Sequence, residues 1–143
     1  MEIRVMEPGD YDQAYALWSG IAGMGLRSLD DSREGIKKFL LRNPGLSFVA
    51  IQDGHMAGAI LCGQDGRRGY IYHAAVDPSC RRQGIGRRLV QQVIQALQKV
   101  GINKSALVVF SDNQIGNAFW EKMGYTVRTD LTYRNKSINR DNR

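Results

Sequence analysis

The stretch that decides the fold is YIYHAAVDPSCRRQGIGRRL, residues 70–89. Its pattern predicts a strand over residues 70–76, an arginine-rich turn, and a helix that starts at Gly84. The first turn of a helix offers free N–H groups and the positive end of the helix dipole, which together suit an anion. Glycine at 84 and 86 removes Cβ atoms that would keep a phosphate from those groups. The stretch therefore predicts a pyrophosphate-binding turn.

Other glycine-rich phosphate motifs fit this turn less well. No Lys-Ser or Lys-Thr follows the glycines, so the turn is not a P-loop, and the dinucleotide motif GxGxxG needs a third glycine. A basic helix start that binds no ligand remains the alternative interpretation.

Working outward, hydrophobic periodicity and turn residues predict the remaining elements. They are a strand over 2–7, a helix from Asp10 to about Ser19, a helix from Asp31 or Ser32 that stops before Pro44, strands over 46–52 and 56–62, the strand over 70–76, a helix over 84–100, a strand over 105–110, a helix over 113–123 and a last strand or pair of strands over 125–133. The order βααβββαβαβ predicts an α/β protein, with a mixed sheet and helices on both faces. We expect one domain over residues 1–134 and a polar, basic, frayed tail over 135–143.

Length and composition fit one cytoplasmic domain. The 143 residues are 43% hydrophobic and contain no apolar run near the ~20 residues that cross a bilayer, nor a secretory signal. Cys62 and Cys80 form no CxxC pair and have no histidine at metal spacing, which predicts free thiols and no metal site. Neither His55 nor His73 is expected in a metal cluster.

The net charge of +6 indicates an anionic partner. Nucleic acid, a membrane surface and a small anionic ligand are all consistent with it. Four of the basic residues bracket the two glycines within eight positions, namely Arg81, Arg82, Arg87 and Arg88. No aromatic residues alternate with basic ones as a nucleic-acid platform would require, so the charge favours the small ligand.

Three motifs resemble the GNAT acetyltransferases. Arg81-x-x-Gly84-x-Gly86 is similar to the acyl-CoA signature of that family, and Ala74-Ala75-Val76-Asp77-Pro78 resembles its usual strand ending. Asn113 together with residues 118–125 (AFWEKMGY) resembles its later helix motif. The resemblance covers essentially the whole chain in the right order. Arg42-Asn43-Pro44, residues 65–69 (DGRRG) and Phe119-Trp120-Glu121 further resemble a bacterial subgroup of small GNAT proteins.

The resemblance implies an acyltransferase that uses acetyl-CoA and needs no metal. The strand ending at Val76 should splay from the strand over 105–110, and its backbone should pair with the pantetheine arm. The residues that the resemblance assigns to the cofactor are Ala74, Ala75, Val76, Arg81, Arg82, Gln83, Gly84, Ile85, Gly86, Arg87, Asn113 and Trp120. An amine would attack the acetyl carbonyl directly, with the N–H of Val76 as the oxyanion donor.

The sequence departs from the family at the acid and the base. Trp120 stands where the family has a tyrosine that protonates the leaving thiolate, and Val108 where some relatives have a glutamate base. An indole N–H does not give up its proton. A hydrogen bond or water replaces the acid, or else Tyr70, Tyr72 or Tyr133 supplies the proton, while Trp120 shapes the pocket or only packs in the core.

Other residues have a functional and a structural interpretation. His73 is a general base beside the strand ending or a packed residue, and its side chain is expected to point opposite to Tyr72. Cys80 is a reactive thiol or a turn residue. Trp18 packs in the core or walls the acceptor site, and the loop over 20–29 is a candidate lid.

Three functions remain open at this point. The sequence favours an N-acetyltransferase with an amine acceptor of unknown identity, acting as a monomer or a homodimer. The alternatives are an acyl-CoA-binding regulator with degenerate catalysis and a basic nucleic-acid or ribosome-associated binder.

Overall fold

The computed structural model describes residues 1–143 and contains one five-stranded mixed sheet. The strands lie in chain order across the sheet: β1 is Glu2–Val5, β2 is Phe48–Gln52, β3 is His55–Gln64, β4 is Gly69–Val76 and β5 is Ser105–Ala106. Strands β1 to β4 pair antiparallel, whereas β5 runs parallel to β4. The predicted mixed α/β architecture is confirmed.

Helices cover both faces of the sheet. Helices α1 (Tyr11–Ser19) and α2 (Arg33–Arg42) pack on one face, and α3 (Ile85–Lys99) and α4 (Gln114–Lys122) on the other. Short 3-10 turns at Pro8–Asp10 and Pro78–Cys80 precede α1 and α3. No helix combines the length and the apolar character that crossing a membrane requires.

Each helix buries one stripe of apolar side chains against the sheet. In α3 the buried residues Leu89, Val93 and Leu97 recur at intervals of four and face the first core layer. Trp18 of α1 and Ile36 of α2 belong to the second layer, on the opposite face. The sheet must be apolar on both faces, which explains why β3 is buried at eight consecutive positions.

The starts of α1 and α2 are stabilised in different ways, and of the two expected starts of α2 the structure uses Ser32. Ser32, not Asp31, caps α2 by accepting a hydrogen bond from the Gly35 N–H at 3.0 Å. Asp10 forms no capping box with a residue of α1, because its carboxylate instead accepts bonds from Arg4 at 2.9 Å and from the Glu7 N–H at 2.8 Å.

The predicted strand over 105–110 is wrong beyond Ala106. From Leu107 the chain diverges from β4, and Val108 and Phe110 are each 58% exposed. The predicted last strand over 125–133 is absent as well. An alternating pattern reports which side chains share a face, but a strand also needs backbone hydrogen bonds to a neighbouring strand, and residues 125–133 make none.

The end of the C-terminal tail makes hydrogen bonds with the loop before α2. The Ser28 N–H donates to the Arg143 carbonyl at 2.7 Å, and the Leu29 and Asp30 N–H groups donate to Asn142 Oδ1 at 3.0 Å. The tail thus closes over the loop between α1 and α2, and its last residue lies close to the start of α2.

Candidate active site

The outer edge of β4 has no partner strand beyond its first two residues. β5 pairs only with Gly69 and Tyr70. The Asp77 N–H donates to the Ala57 carbonyl on the β3 side at 2.8 Å. Because backbone groups alternate along a strand, the N–H of Val76 faces the open edge. This opening lies where the sequence predicted a splay.

A bulge in β4 brings two neighbouring side chains to one face. Ala59 pairs with Ala75 and Leu61 with Tyr72, so two residues of β4, His73 and Ala74, oppose a single residue of β3. His73 adopts a φ of 49° there, which is unusual for a residue other than glycine. Its ring packs 5.1 Å from the Trp18 ring and 6.5 Å from the Tyr72 ring. The expectation that His73 points opposite to Tyr72 is therefore wrong.

His73 is held from both its ring and its backbone. The Nε2 atom lies 2.6 Å from Asp31 Oδ1, and the indole N–H of Trp18 donates to the His73 carbonyl at 3.1 Å. The two paired side chains are 12% and 5% exposed, while Trp18 is fully buried. In the tautomer whose Nε2–H donates to Asp31, Nδ1 has a free lone pair and no hydrogen-bond partner within the protein.

Asp31 is a candidate site residue that the sequence analysis did not identify. The only signal was its place beside Ser32 as one of two possible helix caps. Its second carboxylate oxygen accepts a hydrogen bond from the Arg27 N–H at 2.6 Å, and its carbonyl accepts one from the Tyr11 hydroxyl at 2.7 Å. These contacts fix the carboxylate under the imidazole. A depression of ≈330 Å³ adjoins Asp31, bordered by α1, the loop before α2 and Arg143.

Tyrosines gather on the same face as His73. The Tyr70 and Tyr72 rings are 4.8 Å apart, and Phe39 meets Tyr72 edge-on at 5.8 Å. Burial raises the pKa of both Tyr70 and Tyr72, and the nearby Tyr133 raises each pKa further. Phenols with raised pKa values keep their protons at neutral pH and are available as hydrogen-bond donors.

The turn before α3 exposes a run of backbone N–H groups. Arg82 and Gly84 both adopt positive φ, 66° and 76°. The first intrahelical bond runs from the Arg88 N–H to the Gly84 carbonyl at 3.1 Å, so the N–H groups of residues 85–87 have no helical acceptor. Arg81, Gln83 and the other arginines of the turn are exposed, and no ion pair occupies these arginines.

The two glycines of this turn serve different purposes. A Cβ on Gly84 would meet nothing within 4 Å, so the positive φ is what requires glycine. A Cβ on Gly86 would lie 3.1 Å from the Phe119 ring and 3.7 Å from Val76. A glycine at 86 therefore leaves room for Phe119 of α4. The sequence pattern predicts that the missing Cβ makes room for a phosphate, whereas in the structure the space is taken by this ring.

Asn113 and Trp120 lie away from His73. Asn113 caps α4 by accepting a hydrogen bond from the Gly116 N–H at 2.9 Å. Trp120 packs between Phe119 and Tyr125, with ring distances of 5.0 and 5.2 Å, on the α3 face of the sheet. Core packing thus accounts for the contacts of Trp120, and the structure does not bring it together with the residues on the opposite face.

A second cluster was not foreseen from the sequence. Cys80 Sγ lies 3.8 Å from His55 Nε2, and Asp77 completes a group whose ligand-type atoms all lie within 4.8 Å of one another. No histidine stands at metal spacing from either cysteine in the sequence, and it is the fold that brings His55 to Cys80. Residues 25 positions apart give no local signal of such a contact.

Comparisons with known proteins agree on one family. A sequence model described as the acetyltransferase (GNAT) family matches residues 12–125. The chain is 31% identical to Acetyltransferase SG1711 of Sodalis glossinidius, over 99% of this chain and 98% of that protein. It is 32% identical to Acetyltransferase ECA0875 of Pectobacterium atrosepticum, over 87% of each chain.

Solved structures share the fold. The ribosomal-protein-S18-alanine N-acetyltransferase of Escherichia coli is 26% identical with a TM-score of 0.71, covering 86% of this chain and 76% of that one. Ard1 of Thermoplasma volcanium superposes with a TM-score of 0.78 at 21% identity, over 89% and 83% of the two chains.

Proposed function

The chain belongs to the acetyltransferase (GNAT) family, and we propose that it transfers the acetyl group of acetyl-CoA to an amine acceptor that His73 deprotonates. The observation that carries the catalytic part of this proposal is the His73–Asp31 pair at the β4 bulge, 2.6 Å between Nε2 and Oδ1. It lies next to the open strand edge, where a cofactor and an acceptor can meet.

The turn before α3 and the open edge of β4 fit acetyl-CoA. The N–H groups of residues 85–87 are free at the N-terminus of α3, and exposed arginines without ion-pair partners flank them. Both features suit a pyrophosphate. The backbone of residues 74–76 offers unpaired groups to the amides of the pantetheine arm, in the manner of an added strand. Acetyl-CoA supplies an activated acyl carbonyl and a thiolate leaving group. The solved structure of Rv2747 from Mycobacterium tuberculosis, which shares the fold, contains CoA.

His73 acts as the general base in this proposal. Asp31 holds the imidazole so that Nδ1 keeps its lone pair and can take a proton from the incoming amine. Asp31 is a positioning residue, because its carboxylate touches His73 and not the acceptor. The bulge is essential to this arrangement, because it turns His73 onto the face that carries Asp31.

The leaving thiolate needs a proton and the oxyanion needs a hydrogen-bond donor, and each has a candidate partner in the structure. Tyr72 lies beside His73 with a protonated phenol at neutral pH, so it is our candidate for protonating the leaving thiolate. The N–H of Val76 on the open edge is our candidate oxyanion donor. The pair of His73 and Tyr72 replaces the glutamate and tyrosine that the sequence lacks at Val108 and Trp120, which favours an active enzyme over a degenerate regulator.

The test is turnover with His73→Gln and Asp31→Asn. Release of free CoA thiol is followed over a panel of small amines, peptide N-termini and lysine side chains. Loss of the base should lower kcat about 10²–10⁴-fold, and loss of the positioning carboxylate about 10- to 100-fold, by analogy with carboxylates that orient a metal-bound histidine. Asp12→Asn is the matched control, because Asp12 is exposed on α1 and pairs only with Arg33.

The pH–rate profile separates catalysis from structure. If His73 is the base, the wild-type rate rises with pH through one deprotonation, and this limb disappears in His73→Gln while the Kd for acetyl-CoA stays unchanged. An unaltered profile in His73→Gln would show that the pair is structural. Binding of acetyl-CoA without turnover of any amine would favour the regulator instead.

A further inference from the structure

We propose that Cys80, His55 and Asp77 form a binding site for a divalent cation of intermediate softness, for which Zn²⁺ is the best match. The three residues come from two segments: His55 opens β3, while Asp77 caps and Cys80 ends the same 3-10 turn before α3. The cluster lies outside the residues assigned to acetyl transfer, so this proposal does not depend on the proposed function.

The spacing of the sulfur and the nitrogen fits two ligands on one metal. With Zn–S near 2.3 Å and Zn–N near 2.0 Å, two ligands of a tetrahedral site lie about 3.6 Å apart. Cys80 Sγ and His55 Nε2 are 3.8 Å apart. All three ligand atoms lie within 4.8 Å of one another. A shift of roughly 1 Å, available to the exposed His55 side chain, is enough to complete the arrangement.

The donor set selects the class of cation. A thiolate, an imidazole and a carboxylate suit Zn²⁺ and related transition metals, whereas Mg²⁺ and Ca²⁺ prefer oxygen ligands alone. Asp77 is already oriented, because its Oδ1 accepts hydrogen bonds from the Ser79 N–H at 2.9 Å and the Ser79 hydroxyl at 2.8 Å. The buried Cys80 supplies the thiolate from inside, and a surface depression of ≈280 Å³ beside His55 leaves a fourth position open to water.

A cation at this place would connect two turns. His55 belongs to the hairpin between β2 and β3, while Cys80 directly precedes Arg81 and the turn before α3. Bound metal therefore stiffens the segment that leads into the anion-binding N–H groups. The cation itself takes no part in the acetyl transfer described above.

The test uses Co²⁺ as a spectroscopic probe and Zn²⁺ as its competitor, without acetyl-CoA. Chelator-treated full-length protein is titrated with Co²⁺, and the thiolate-to-cobalt charge-transfer band is recorded. We expect one equivalent of Co²⁺ to bind and to produce this band, and we expect added Zn²⁺ to displace the Co²⁺ and remove the band. Zn²⁺ at about 100 times its Kd should also raise Tm by about 5–10 °C.

Three variants identify the ligands. Cys80→Ser should abolish the charge-transfer band, and His55→Gln should weaken binding by more than about 100-fold, since even residues that only orient a ligand cost 10–100-fold. Cys62→Ala is the control, because this second thiol is fully buried in the core and should leave the band intact. His55 is exposed, so its variant tests the site even if Cys80→Ser does not fold. A band that persists in His55→Gln at wild-type affinity, or no band in the wild type, overturns the proposal.

Discussion

Replacing Gly84 tests the anion-binding turn most directly, because one position allows the steric and the electrostatic effects to be separated. Gly84 has a φ of 76°, and a Cβ there would meet no atom within 4 Å. Gly84→Ala therefore adds only the left-handed backbone cost, about 1–2 kcal/mol. For a chain of this length, that lowers Tm by about 2–8 °C. Gly84→Glu should cost a similar amount of stability, because its longer side chain also starts in open space.

The two variants should differ in their affinity for acetyl-CoA. A carboxylate about 5 Å from one phosphate charge costs about 1 kcal/mol at the dielectric constant of water and about 3 kcal/mol at an effective value of 20. Gly84→Glu should therefore bind acetyl-CoA about 5- to 150-fold more weakly than Gly84→Ala. The difference should shrink as salt rises, since both charges are near solvent.

Calorimetric titration with acetyl-CoA at two salt concentrations measures both effects, with thermal unfolding as the check on stability. Equal affinities in Gly84→Glu and Gly84→Ala would refute the placement of the pyrophosphate at this turn. A difference that does not respond to salt would show that the glutamate acts by distorting the turn and not by its charge.

Three further perturbations probe the scaffold. The pKa of Asp10 is lowered, chiefly by its hydrogen bond to Arg4. Its stabilisation is therefore present above its unfolded-state pKa near 4 and is lost as pH falls through the lower folded-state value. Asp10→Asn should lower the free energy of unfolding, measured in urea at pH 7, by about 1–3 kcal/mol. An equal difference between the wild type and Asp10→Asn at pH 2 would contradict this assignment. Gly86→Ala should destabilise by about 1 kcal/mol through its contact with Phe119, and Phe119→Leu should relieve that cost in a double-mutant cycle; additive effects would rule the contact out. Deleting residues 141–143 should speed amide hydrogen exchange in the loop before α2, and unchanged exchange would mean that the tail does not hold that loop.

The sequence by itself determined the elements that local patterns specify. The buried stripe of α3, with Leu89 and Val93 four residues apart, follows from helical periodicity. The helix start at Gly84 was predicted to within one residue, and so was β4. These features depend on neighbours in the chain, so the chain order alone reveals them, and the motifs they carry identified the family.

Only the tertiary structure decided which distant residues meet. His73 and Asp31 are 42 positions apart and come together because a bulge rotates one residue of β4 onto the α2 face. Cys80 and His55 meet because a turn packs on a hairpin, and the strand predicted over 125–133 does not form. A local pattern fixes the period and the exposed face of a segment. The register of a bulge, the partner of a side chain and the presence of a neighbouring edge depend on how the whole chain packs, and no local pattern encodes them.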